Sequence, residues 1–277
     1  MKRKMILPAF AAALVLFSAA AAVAGARVGK EVPPHDSPMG PHFSFTRAQW
    51  ESTLTELPPE IRNAIYADEA LFLKEAAALI DAGRAFYAHI DTVVPVDPID
   101  LRPADLVDLN DYPVRTSKPM QVRRPAAEAF AALSQAAAAD GIRIVGISGY
   151  RTYAYQQRLY ENLKNAVGKA GKAVSAAPGH SQHQTGLAMD FNSLEQDFDE
   201  TPEGLWLKAH AADFGWSLSY PEEYEELTGY DYEPWHFRYI TPAGCRLQRL
   251  FFNNIQFYLT DYFHQYDSFY REYRTHE

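Results

Sequence analysis

The sequence predicts a mixed domain of helices and short strands behind an apolar targeting segment. Helical spacing fills residues 46–90 and the tail from Pro242, short runs that read as strands lie between them, and prolines crowd residues 91–123. A length of 277 residues suits one medium domain with attachments or two small ones. Hydrophobic residues at 47% and charged residues at 22% are an ordinary globular balance, which allows a real core.

Met1-Lys2-Arg3-Lys4 is positively charged, and residues 5–24 are almost wholly apolar. Ala22-Val23-Ala24 and Ala24-Gly25-Ala26 fit the small-residue pattern of a signal peptidase site. Residues 1–26 therefore read as a signal peptide or, if uncleaved, as a membrane anchor. Either way the chain from about residue 27 is expected outside the cytoplasmic membrane, in the periplasm or cell envelope. The uncleaved segment would be its one membrane contact. Pro33-Pro34, Ser37-Pro38 and Gly40-Pro41 make residues 27–45 an extended linker.

Trp50, Leu54 and Leu57 recur at helical spacing until Pro58-Pro59, and Ile61, Ile65, Phe72, Ala76, Leu79 and Ile80 continue the pattern to Gly83. Pro95, Pro98, Pro103, Pro113 and Pro119 then favour extended chain. A helix over 125–140 opens at Pro125 and closes at Gly141, and residues 142–147 alternate as a strand. Helices over 153–167 and 202–214 and strands over 187–191 and 235–240 complete a catalytic-domain candidate over 91–241. The tail, 242–277, reads as one long helix. Leu247, Phe251, Tyr258, Tyr262, Tyr266, Phe269 and Tyr273 form an aromatic stripe, the mark of a packing face more often than of a ligand platform.

A net charge of −9 repels phosphate backbones, which argues against nucleic acid as a partner. Cys245 is the single cysteine, so an intrachain disulfide and a cysteine-ligated zinc site are both excluded.

Three stretches carry the chemistry: Ser148-Gly149-Tyr150-Arg151, the run SQHQTGLAMD over 181–190, and Glu233-Pro234-Trp235-His236. A hydrolytic zinc takes three nitrogen or oxygen ligands and keeps a fourth position open. His183 and Asp190 bracket Gly186, so a turn brings imidazole and carboxylate to one centre, with His236 arriving from a neighbouring strand. Asp190 lies between Met189 and Phe191, and a carboxylate buried there needs a cation or several donors beside it. Glu233, three residues before His236, is placed to move protons without being a ligand. Arg151 reads either as a guanidinium fork for a peptide carboxylate or as a surface salt bridge. His35, His42, His89, His210, His264 and His276 are scattered and read as structural.

At these residues the chain resembles the VanY-type zinc D-alanyl-D-alanine carboxypeptidases, relatives of the D,D-dipeptidases and of hedgehog-like folds. The matching text is ISGYRTYAYQQRLY, PGHSQHQTGLAMDF and GYDYEPWHFRYI, within 106–240, roughly half the chain. The resemblance implies an α+β fold, a small, mostly antiparallel sheet flanked by helices. It implies that His183, Asp190 and His236 bind one Zn²⁺, that Glu233 is the catalytic base, and that Arg151 holds the substrate carboxylate or the oxyanion. Ser181 and Gln156 would line the cleft, and the partner would be a peptidoglycan stem peptide. One departure stands out. Relatives often read leucine-arginine-tyrosine-proline where this chain has Leu218-Ser219-Tyr220-Pro221. An L,D-carboxypeptidase, a D,D-dipeptidase, an endopeptidase and a non-catalytic wall-binding module stay open as alternatives.

Overall fold

Three short helices lead the computed structural model, which describes residues 38–167 and 175–275. The targeting segment, most of the 27–45 linker, Gly168, Gly171, His35 and His276 lie outside the described residues. Helix α1 (Arg47–Thr53) starts at a capping box in which Thr46 and Gln49 satisfy each other's backbone donors. Helix α2 (Pro59–Ala67) opens on proline, whose missing N–H is spare in a first turn. Helix α3 (Glu69–Ala82) follows at once, because Asp68 accepts from the Leu71 N–H and begins a new helix. The continuous run expected to Gly83 is thus two helices.

The proline-rich interval gives short extended pieces. Strand β1 (Leu106–Asp108) is followed by β2 (Arg115–Thr116) and β3 (Gln121–Arg123), and β1 pairs antiparallel with β3. Then come α4 (Arg124–Ala139), β4 (Val145–Ser148), α5 (Tyr153–Val167), β5 (Ala188–Phe191) and α6 (Pro202–His210). Strand β6 (Trp216–Leu218), the single turn α7 (Glu225–Thr228) and β7 (His236–Tyr239) end the site-bearing part. The main sheet has the order β2-β4-β5-β7-β6. Only the β2–β4 pairing is parallel, so the sheet is mostly antiparallel and the fold is α+β, as the family resemblance implies. Strand β5 is buried at all four positions, which is why its apolar residues do not alternate.

The tail departs from the expected single helix. It forms α8 (Thr241–Phe251) and α9 (Gln256–Glu272), parted where Asn253 (φ 52°) and Asn254 (φ 60°) turn left-handed. Asparagine tolerates that region, which ends a helix without glycine. The aromatic stripe is a packing face. Trp50 Nε1 donates to the Tyr270 hydroxyl (3.0 Å), Tyr262 joins Tyr270 (2.7 Å) and Thr53 (2.8 Å), and Phe45 stacks on Phe269 with centroids 5.0 Å apart. N-terminal and C-terminal helices so share one core with the sheet. Each large side chain buried there contributes roughly 1.5–3 kcal/mol. Cys245 is buried in α8, and burial raises its thiol pKa, in keeping with an unreactive core residue.

Candidate metal centre

Asp190 on β5 stands opposite His236 on β7, and on its other side opposite Ser148 of β4 beyond a register shift. His183 enters from the 3₁₀ turn Gln182–Thr185, which closes on Gly186 at φ 69°. A Cβ at Gly186 would sit 3.0 Å from both Arg123 Cγ and Leu106 Cδ2, so a side chain there is strained by the left-handed backbone and makes both neighbours shift. One ligand atom each from His183, Asp190 and His236 lies within 4.8 Å of the other two, and all three residues are buried.

The protons on the two rings are fixed by what lies behind them. His183 Nδ1 is 2.8 Å from the Gly149 carbonyl, which can only accept, so the proton is on Nδ1 and Nε2 carries a lone pair. His236 Nε2 donates to Gln182 Oε1 (3.2 Å), leaving the lone pair on Nδ1. Both free nitrogens approach one atom: Asp190 Oδ1 is 3.3 Å from His183 Nε2 and 3.2 Å from His236 Nδ1. Asp190 Oδ2 accepts from Arg151 Nη2 (3.0 Å), whereas Oδ1 is buried with no hydrogen-bond partner. Burial, reinforced by Arg151, pushes the His183 imidazole down to about 4, so it is neutral near pH 7. Lone pairs on two nitrogens and one orphaned carboxylate oxygen repel one another unless a cation lies between them. This donor set fits Zn²⁺ with a position left open.

Glu233 reaches the cluster through a turn held by the backbone, its N–H bonded to the Tyr220 carbonyl and its carbonyl to the His236 N–H, both at 3.1 Å. Pro234 suits the second position of that turn. Glu233 Oε2 is 3.4 Å from His236 Nδ1. Burial, opposed by His236, raises its pKa above the ordinary carboxylate value. Arg151 is not the surface salt bridge that was one of its two readings. Its Nε donates to Ser148 Oγ (3.1 Å) and its Nη2 to Asp190, so its ion pair is inside the site and not on the surface.

A cleft of about 180 Å³ lies over the cluster, lined by Arg151, Ser181, Glu233 and the three candidate ligands. Gln156 is a correction. It is fully buried and does not line the cleft, because its Nε2 donates to Ser175 Oγ (2.9 Å) and the Ala176 carbonyl (2.8 Å), two residues that do. Sequence reasoning missed Tyr220 and Tyr230, which wall the cleft with ring centroids 4.6 Å apart. Tyr220 also lies 4.8 Å from the His236 ring. Its place in Leu218-Ser219-Tyr220-Pro221 was the available signal.

A family model described as VanY, D-alanyl-D-alanine carboxypeptidase, matches residues 119–242, which contain every residue of the cluster. The Bacillus subtilis protein YodJ is 36% identical over 161 residues, 54% of this chain. The chain spans 58% of that relative's length. Among solved structures, the LdcB LD-carboxypeptidase is similar at 33% identity and a TM-score of 0.53, over 60% of this chain and 80% of that one. A vancomycin-resistance D,D-pentapeptidase VanY in complex with Zn(II) is similar at 25% identity and a TM-score of 0.50, over 64% of this chain and 98% of that one.

Proposed function

This chain belongs to the VanY family of D-alanyl-D-alanine carboxypeptidases, and on that premise we propose that it hydrolyses the C-terminal peptide bond of peptidoglycan stem peptides. The observation that carries the reading is the convergence of His183 Nε2, Asp190 Oδ1 and His236 Nδ1, all unprotonated, beside Glu233. These three residues would hold one Zn²⁺. When bound, the ion lowers the pKa of water from about 15.7 to about 7 and polarises a carbonyl.

Glu233 takes the proton of the attacking water on its carboxylate and passes it to the departing amine nitrogen. Burial raises its pKa above the ordinary carboxylate value, which strengthens it as a proton acceptor. Arg151 keeps Asp190 oriented through Nη2, and its Nη1, which has no protein hydrogen bond among the described residues, meets the substrate's terminal carboxylate. Ser181 adds a hydroxyl to the cleft wall, and Gln156 supports that wall from behind. The apolar N-terminal segment supports export to the periplasm or cell envelope, where such a substrate occurs.

A second reading, cleavage of an L,D bond, is favoured by the 33% identity to the LdcB LD-carboxypeptidase. Mass spectrometry of a pentapeptide stem ending in D-Ala-D-Ala and of the corresponding tetrapeptide separates the two. Loss of one alanine from the pentapeptide is the expected result. Cleavage of the tetrapeptide alone would move the assignment to L,D-carboxypeptidase, and two intact peptides would point to a wall-binding role.

A further inference from the structure

Helix α9 begins at Gln256, far along the chain from the metal cluster, yet its first side chain is buried directly behind that cluster. Gln256 Nε2 donates to the Ser217 carbonyl (3.4 Å), and its Oε1 accepts from Gln182 Nε2 (3.2 Å). Gln182 Oε1 in turn accepts from Ser219 Oγ (2.7 Å) and from His236 Nε2 (3.2 Å). Gln182, Ser219 and Gln256 are all buried, so water does not compete for these bonds.

The series has a direction. A backbone carbonyl cannot donate, so Ser217 requires the amino end of Gln256, which leaves its oxygen facing Gln182. Gln182 must answer with its own amino group, and its oxygen is left for His236. The last link decides the ring: with an acceptor at Nε2, the proton stays there and Nδ1 keeps the lone pair that faces Asp190 at 3.2 Å. The opposite tautomer would put a proton where a cation has to bind.

We infer that Gln256 and Ser219 are positioning residues that, through Gln182, hold His236 in the tautomer able to ligate at Nδ1, which makes the C-terminal helix part of the metal centre. The inference rests on the metal-centre reading above. It gives a structural use to α9 that its aromatic packing does not. It also gives one to Ser219, whose hydroxyl pins Gln182 Oε1 from a second side. Groups behind a metal-binding histidine commonly change affinity by about 10–100-fold when removed.

The test compares Gln256→Leu, Gln256→Glu and Gln182→Leu in the full chain. Two readouts are used: zinc affinity by chelator competition, and the His236 tautomer from ¹H–¹⁵N correlations of the neutral, metal-free ring. Gln256→Leu keeps volume and loses the acceptor, so zinc should bind about 10–100-fold more weakly and the ring should show both tautomers. Gln256→Glu, carrying its proton on the oxygen that faces the Ser217 carbonyl, still donates there and still offers an acceptor to Gln182 Nε2, so affinity should stay near native with a single Nε2–H ring. Gln182→Leu should lose at least as much as Gln256→Leu. If Gln256→Leu does not fold, Ser219→Ala tests the same relay with a smaller loss of affinity. Native affinity and an unchanged tautomer in Gln256→Leu and Gln182→Leu would overturn the inference, as would better retention by leucine than by glutamate at 256. A native chain that binds no zinc but keeps the Nε2–H ring would refute the metal reading and leave the relay standing.

Discussion

Replacing Glu233 by glutamine isolates the proposed base from everything around it. The side chains are nearly isosteric, and the turn presenting residue 233 is held by backbone bonds to Tyr220 and His236, so the substitution leaves the geometry in place. Glutamine removes the proton acceptor 3.4 Å from His236 Nδ1 and leaves the three candidate ligand side chains themselves unchanged. Positioned general bases contribute about 10²–10⁴ in rate, which at about 1.4 kcal/mol per decade is roughly 2.7–5.5 kcal/mol of barrier. Steady-state hydrolysis of the stem pentapeptide should therefore show kcat reduced by at least about 10² with KM little changed. Zinc content, measured by atomic absorption on the same sample, should match the native chain. Melting temperature should be unchanged or slightly higher, since a carboxylate disfavoured by burial has been neutralised. A kcat within tenfold of native would remove Glu233 as the base, and loss of zinc would make it a ligand instead.

His183→Ala removes one of three donors, and equilibrium dialysis should find less than stoichiometric zinc; a full complement would end its role as a ligand. Gly186→Ala forces a Cβ into the left-handed region against Arg123 and Leu106, and chemical denaturation should show a loss of at least about 1–2 kcal/mol. Unchanged stability would mean that the turn carrying His183 relaxes freely. Tyr270→Phe leaves the buried Trp50 Nε1–H without its acceptor, at a cost of about 1–3 kcal/mol by the same measurement, and a neutral result would show that the Trp50–Tyr270 bond is dispensable. Burial disfavours the Asp91 carboxylate, but the Val93 and Val94 N–H groups (2.7 and 2.6 Å) and His89 more than compensate and lower its pKa. Its stabilisation is then complete above the usual value of 3.8 and is lost as pH falls through the lower folded value. Asp91→Asn should accordingly be less stable than native at pH 6, with the gap closing in acid; a gap that widens in acid would contradict the assignment.

The site was legible because its chemistry is local and punctuated. Gly186 between His183 and Asp190, and Pro234 between Glu233 and His236, mark turns that need no knowledge of the rest of the fold. Asp190 inside an apolar strand signalled a compensated charge, and the helix expected over 153–167 matches α5 at both ends. Features that depend on distant packing were not legible. The aromatic stripe runs on past residue 252, so periodicity gives no hint that Asn253 and Asn254 split the tail in two. Gln156 lies close in sequence to Arg151, but its amide is drawn inward by Ser175 and Ala176. Gln182 is adjacent to His183 yet serves His236, a pairing set by the arrival of α9 and invisible in the local motif. The sheet order β2-β4-β5-β7-β6 was likewise not legible, since short strands with mixed burial do not specify their partners; the family resemblance implied only a small, mostly antiparallel sheet.

The central claim is that His183, Asp190 and His236 form a zinc site. Anomalous diffraction at the zinc edge, from crystals of the chain grown with stoichiometric Zn²⁺, tests it most directly. The account predicts one strong peak within bonding distance, roughly 2.0–2.2 Å, of His183 Nε2, Asp190 Oδ1 and His236 Nδ1. A peak coordinated by other atoms, or none at these three, would contradict it.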